Sequence, residues 1–340
     1  MAASLVIQTS FIGDTVLTTP LLAQLANRGP VDVVTTPLSA TLLVGHPAVR
    51  EVIPYDKRGE DAGLRGFLRM ARRLRSGSYD IAFLAQGSLR SAALAVVAGI
   101  PQRIGFSTSS GSWLYTRRVP YREDLHHAAR LLQLARPNGR EPSAEELRPT
   151  LVPGPAEQLA VDGLLRTHGV APGDALVALA PGSVWGTKRW PFYPELASEL
   201  ASFAHIVVVG GSEDAPLAAA IHDSVPSAID ATGRLSLLAS AELLRRCAIL
   251  VTNDSAPDHL ASAVDTPTVA LFGPTVPDFG FGPLASRATV LGLDTLPCRP
   301  CDRHGPARCP LGHHRCMRDL APELVAERVR ALLSNREPVA

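Results

Sequence analysis

Hydrophobic and polar positions alternate in blocks along nearly the whole chain. Short apolar runs, "SLVIQ", "VDVVTT", "EVIPY" and "DIAFLA", are rich in Val, Ile and Leu. That is the pattern of strands buried on both faces of a parallel sheet. Between them apolar residues recur at helical spacing, which predicts helices over 15–27, 62–75, 89–98 and 126–135. The alternation breaks over 135–155, "ARPNGREPSAEELRPTLVPGP", where proline and charge accumulate as in an interdomain linker. A helix over 156–168 follows, and then a second series. Its strands are "ALVALAPG", "HIVVVGG", "SAIDAT", "AILVTND" and "TPTVALFG". Its helices are expected over 191–203, 214–224, 236–246 and 255–264, with a last one over 321–333. Two such series predict an α/β chain of two Rossmann-like, doubly wound domains, residues 1–152 and 153–320, facing a central cleft.

Composition narrows the function classes. A chain of 340 residues holds two domains comfortably, and 46% hydrophobic against 19% charged residues supports large cores rather than disorder. A formal net charge of +1 lacks the broad basic field of a nucleic-acid binder. The opening "MAASLVIQTS" has no basic residues before its apolar run, so it reads as a first strand and not as a signal peptide. No apolar run reaches the roughly 20 residues of a membrane span. The expectation is a cytoplasmic protein, with peripheral attachment at the inner membrane left open. Lys57 and Lys188 are the only lysines among 33 basic residues.

Candidate chemistry sits at strand-to-helix junctions. In "TSFIGD", Gly13 permits a tight turn and Asp14 stands at a helix start, either as a cap or as a carboxylate taking a proton from a substrate hydroxyl. In "APGSVWGTKRWPFYPELA", Pro191 suits a first helical turn, which places Thr187, Lys188 and Arg189 at an anion-binding position. In "AILVTNDSAPDHLASAV", Ser255 is a candidate cap, Asp254 precedes it and His259 lies one turn on. In "VVVGGSED", two glycines allow close backbone approach and Glu213 is a candidate ribose ligand. No G-x-G-x-x-G follows either first strand, which counts against a nicotinamide oxidoreductase.

Taken together, "TSFIGDTVLTTPLL", "PGSVWGTKRWPFYPELA", "VVGGSED", "TNDSAPDHLASA" and "ALFGPTVPDFGFGP" resemble the heptosyltransferases of glycosyltransferase family 9, in order and spacing across almost the whole chain. "WGTKRWP" and "GPTVPDFGFGP" look more similar to the second-heptose branch. The resemblance implies a GT-B fold, with the acceptor on the N-terminal domain and ADP-heptose on the C-terminal one. It implies inverting transfer to a lipopolysaccharide inner-core acceptor with no required cofactor or metal. It implies that the segment 321–340 crosses back to the first domain. By position, Asp14 would be the general base and Lys188 would balance the donor diphosphate. Asp254, Ser255 and His259 would lie at the diphosphate and sugar, and Glu213 at the ribose. Ser10, Gly13, Thr187, Gly211 and Ala256 complete the implied donor set. The family usually has glycine at the position of Ala256 and an apolar residue at that of Asp258. Here a methyl group stands beside the phosphate position, and a carboxylate brings negative charge near an anionic donor. Two rivals share the shape: a GT-B enzyme using another nucleotide sugar, and a non-catalytic sugar-nucleotide or glycolipid-binding protein.

Two features lie outside the junctions. "CRPCDRHGPARCPLGHHRCM" places Cys298, Cys301, Cys309 and Cys316 in one loop, with His304, His313 and His314 among them. This spacing is a candidate structural zinc site, with an iron–sulfur cluster or plain thiols as alternatives, and it is expected away from the reaction. Arg65, Arg69 and Arg72 form a stripe on one predicted helix, and Arg117 and Arg118 a second cluster. Both point to an anionic acceptor or a membrane surface.

Overall fold

The computed structural model describes residues 2–136 and 140–334; residues 137–139 of the expected linker and 335–340 of the expected terminal segment lie outside the described residues. Contacts divide the chain into two compact units, Met1–Val152 and Pro153–Ala340. The first holds six parallel strands: β1 (Ser4–Gln8), β2 (Val31–Thr35), β3 (Glu51–Pro54), β4 (Ile81–Leu84), β5 (Gln102–Phe106) and β6 (Arg117–Val119). Their order in the sheet is β3-β2-β1-β4-β5-β6. The second holds β7 (Leu176–Ala180), β8 (His205–Val208), β9 (Ile229–Asp230), β10 (Ile249–Asn253), β11 (Thr268–Leu271) and β12 (Ala288–Leu291), also parallel, in the order β12-β11-β10-β7-β8-β9.

The central strands β1, β7 and β10 are buried at every position, as their unbroken apolar runs require. Successive side chains of β1 feed opposite cores. Leu5 and Ile7 join a cluster with Leu74 and Tyr79, whereas Val6 joins Leu21, Leu22 and Leu25 of the helix Ile12–Ala26. That helix tolerates Pro20 because the Thr19 hydroxyl donates at 2.8 Å to the Val16 carbonyl, which the missing proline N–H leaves open. In the second unit the final helix, Pro322–Ser334, buries Val325, Ala326 and Val329 in one cluster with Leu196, Leu200 and Met317. Each fully buried valine there contributes about 1.5–3 kcal/mol. Among the described residues no helix is long and apolar enough to cross a membrane.

Three strands carry no clear sequence signal: β5, β6 and β12. β6 and β12 are edge strands, short and partly exposed, and β6 carries charge as well. The strand orders matter most for function. Each reverses direction once, between β1 and β4 and between β7 and β10. At such a reversal the loops beyond the carboxyl ends of the strands part and leave a crevice for a ligand.

Candidate active site

Polar groups collect at both reversals. Beyond β1, β4 and β5 lies a cavity of about 250 Å³ lined by Gln8, Ser10, Asp14, Gln86, Tyr121 and His127 among others. Phe11, not Asp14, is the N-cap of the helix Ile12–Ala26, so Gly13 is a buried helical residue and Asp14 is the third position. Asp14 still serves the helix start, because its Oδ2 accepts the Phe11 backbone N–H at 3.2 Å. Its Oδ1 lies 3.5 Å from Nε2 of His127, and the side chain keeps 16% of its surface open. Cap and reactive carboxylate are therefore compatible at this residue, since each oxygen has its own neighbour.

The loop ahead of Asp14 is tied down from several sides. Ser10 donates to the Gln8 side chain at 2.6 Å. Lys57 donates to the Thr9 carbonyl at 2.7 Å and to its hydroxyl at 3.1 Å. Burial, aided by Arg58 and Arg90, lowers the Lys57 pKa. Ser10 and Gly13, which the resemblance assigns to the donor, thus stand in the first unit beside the cavity. His127 went unread in the sequence. It is the second of two adjacent histidines at a helix start, and nothing periodic separates them. In the structure His126 is the N-cap and accepts the Ala128 N–H at 3.2 Å, while His127 lines the cavity.

In the second unit, Lys188 follows β7 and Asp254 follows β10, so the two strands flanking the reversal bring them together. Lys188 Nζ donates to Asp254 Oδ2 at 2.6 Å, and the Thr275 hydroxyl donates to the same oxygen at 2.7 Å. Lys188 is 8% exposed and Asp254 9%. Asn253 holds this crossing rigid, accepting the Trp190 backbone N–H at 3.2 Å and donating to the Pro181 carbonyl at 2.9 Å.

Several expectations change here. Lys188 does not stand immediately before a helix. It ends the short turn Gly186–Lys188, and the next helix is Tyr193–Leu200, with Pro194 rather than Pro191 in its first turn. Ser255 is the N-cap of the helix Ala256–Ala263 but makes no side-chain cap bond. Its extended backbone, φ −158°, turns the hydroxyl back to the Asn253 carbonyl at 3.3 Å. Ala256 opens that helix half-buried. Glu213 is exposed, and it is Asp214 that is buried. The Asp214 carboxylate accepts the Gly211 N–H at 3.0 Å, and a Cβ at Gly182 or Gly210 would collide with it. The glycine pair thus makes room for a side chain of the protein itself. His259 is buried with its ring 6.4 Å from that of Phe281.

Asp258 departs furthest from a charged neighbour of an anionic donor. It is fully buried, and neither carboxyl oxygen has a hydrogen-bond partner. Burial, with the nearby negative charge of Asp254, pushes its pKa well above the usual carboxylate range. The folded chain therefore keeps a proton that the unfolded chain loses above about pH 4, and stability falls as pH rises from there toward the folded pKa. Asp258→Leu is expected to stabilise the protein by about 1–3 kcal/mol at pH 7, with the gain shrinking toward pH 4. Denaturant melts across that range check this; a gain that does not vary with pH would show that Asp258 is not the buried acid described.

The cysteine loop also departs from expectation. Cys298, Cys301, Cys309 and Cys316 are free thiols, and among the described residues no group of three or more His, Cys, Asp or Glu side chains is arranged to hold a metal ion. The four thiols lie near enough for charge on one to disfavour charge on another, and each has its own setting. Cys316 is buried in the second unit's core, and burial pushes its thiol up to about 11. The Cys301 thiol turns to the Cys298 carbonyl at 3.2 Å, and His314 Nε2 lies 2.7 Å from the Thr187 carbonyl. Nor is the loop remote. The Thr187 hydroxyl donates to the Pro306 carbonyl, and Gly305, at φ +81°, is seated so that a Cβ would lie 3.3 Å from Lys188 Cε. The loop is the outer wall of the Lys188 turn.

The basic clusters divide. Arg69 pairs with Asp61 at 2.5 Å, Arg117 donates to the Leu134 carbonyl at 2.9 Å and Arg118 to that of Ser112 at 3.0 Å. Arg65 and Arg72 are exposed on the helix Gly63–Ser76.

Comparison with known proteins fits this geometry. The model of glycosyltransferase family 9 (heptosyltransferase) matches residues 67–309. Lipopolysaccharide heptosyltransferase 2 of Escherichia coli (strain K12) is 31% identical over 353 residues, covering 98% of this chain and 99% of that protein. Lipooligosaccharide heptosyltransferase 2 of Haemophilus influenzae is 29% identical over 353 residues, covering 97% and 99%. The solved structure of the E. coli ADP-heptose LPS heptosyltransferase II superposes with a TM-score of 0.78 at 28% identity, covering 98% of this chain and 99% of that one. With two Rossmann-like units of the GT-B fold, this chain belongs to glycosyltransferase family 9, the heptosyltransferases.

Proposed function

We propose that this protein transfers a heptose from ADP-heptose to a lipopolysaccharide inner-core acceptor with inversion at the anomeric carbon. The observation that carries the reading is that each reversal of strand order holds one half of such a chemistry. A carboxylate, Asp14, opens into a polar cavity on the first unit, and a buried lysine, Lys188, stands at the crevice of the second. The names of the relatives, heptosyltransferases that include an ADP-heptose enzyme, supply the sugar and the nucleotide.

In this reading the acceptor oxygen attacks the anomeric carbon, the carbon–oxygen bond to the diphosphate breaks, and the electron pair leaves with ADP. Asp14 takes the acceptor proton. Lys188 and the backbone N–H groups at the start of the helix Ala256–Ala263, which no side chain caps, offset the charge on the leaving diphosphate. Asp254 and Thr275 hold Lys188 in place before the donor arrives. One base and one cationic site complete the displacement, so no step requires a metal ion.

Calorimetry with ADP, GDP, UDP and their sugars tests the donor. ADP is expected to bind at least about 10-fold more tightly than the others, which corresponds to about 1.4 kcal/mol. Equal or tighter binding of UDP or GDP would replace ADP-heptose by another nucleotide sugar.

A further inference from the structure

The helix start that presents Asp14 packs against a second helix start. The helices Ile12–Ala26 and His127–Ala135 lie side by side, and both begin at the cavity beyond β1 and β4. Asp14 is the third residue of one and His127 the first of the other. The two side chains meet with Oδ1 of Asp14 3.5 Å from Nε2 of His127, at 16% and 11% side-chain exposure. The other carboxylate oxygen accepts the Phe11 N–H at 3.2 Å.

We propose that His127 is a positioning residue for the transfer: its Nε2 holds Oδ1 of Asp14 while the Phe11 N–H holds Oδ2, so the carboxylate is fixed in one orientation toward the acceptor hydroxyl. The inference rests on the reading of Asp14 as the base. A carboxylate rotates freely about its last bond unless both oxygens are engaged, and a base must lie within about 2.6–3.2 Å of the proton it takes. Contacts of this kind are often long in the unliganded protein and tighten with substrate bound. An imidazole beside the carboxylate has a second effect: when protonated it favours the ionised form of Asp14 and so extends activity to lower pH.

Cations on the surrounding elements are engaged by other groups. From the segment ahead of its own helix, Tyr121 lines the same cavity, and its hydroxyl accepts a hydrogen bond from the fully buried Arg130 at 2.9 Å. The remaining Arg130 nitrogens are spent on the carbonyls of Arg122 and Glu123. Arg28 and Arg117 serve the far end of the helix, donating to the carbonyls of Ala135 and Leu134. On β5, Arg103 turns to the carbonyls of Ile100 and Leu114.

The test is the pH profile of kcat for His127→Phe and His127→Gln beside Asp14→Asn. His127→Phe loses both the imidazole contact to Oδ1 and the charge. It should lower kcat by about 10–100-fold, leave KM for the nucleotide sugar unchanged and move the acid limb up by about one pH unit. His127→Gln keeps an N–H donor of similar reach. It should recover kcat to within about 5-fold of the parent while its acid limb still moves up, since the charge is gone. If His127→Phe does not fold by circular dichroism, the Gln variant decides alone. An acid limb unmoved in the folded variants, with Asp14→Asn inactive, overturns the role of His127 and spares the base. An active Asp14→Asn overturns the base reading and this inference with it.

Discussion

Asp14→Asn is expected to lower kcat for heptosyl transfer by about 10²–10⁴-fold while ADP affinity stays within about twofold of the parent. The substitution separates the two duties of this residue. Asparagine keeps an oxygen that can accept the Phe11 N–H now held at 3.2 Å, so the helix start survives. It has no lone-pair site basic enough to take the acceptor proton. The loss should therefore appear in turnover, with thermal stability changed by less than about 1 kcal/mol. ADP affinity should hold, because the groups proposed for the diphosphate, Lys188 and the helix start at Ala256, belong to the other unit. Turnover within tenfold of the parent would remove Asp14 from the reaction.

Lys188→Ala should do the opposite in part: it should weaken ADP binding and slow transfer together. It also leaves the Asp254 carboxylate, 9% exposed, without its cation. Breaking a buried pair on one side costs about 3–5 kcal/mol, so lost stability could masquerade as lost function. The double variant Lys188→Met with Asp254→Asn resolves this. With no charge left unpaired, it should recover most of the stability, and ADP binding and rate should remain impaired. Calorimetry showing ADP affinity at the parent level in the double variant would end the diphosphate role of Lys188.

Much of both candidate sites was legible in the sequence because their polar groups lie where strand becomes helix. Asp14, Lys188 and Asp254 each follow an apolar run by a few residues, and those runs are the central strands β1, β7 and β10. What stayed hidden depends on contacts between distant segments. His127 reaches Asp14 only through helix packing, and Thr275 reaches Asp254 from the next strand's loop. The glycines of "VVVGGSED" announced close approach without saying to what; for Gly210 the answer is the Asp214 carboxylate and for Gly211 that of Glu213. The cysteine spacing carried no sign of where its loop lies: the loop is drawn onto the Lys188 turn through His314, Pro306 and Gly305. The edge strands β6 and β12 do not stand out because they are short and partly exposed.

That loop imposes an order on biosynthesis. Thr187 and the carbonyl it binds at Pro306 are 119 residues apart. At about 5–20 residues per second, the ribosome delivers the second roughly 6–24 s after the first. During that interval the first unit has all of its strands and its cavity, whereas the turn bearing Lys188 lacks its outer wall. A nascent chain can therefore complete the strands of its first unit long before its Lys188 turn is walled. Premature termination after Lys188 but before residue 305 would yield a polypeptide with the first sheet whole and the Lys188 turn without its outer wall.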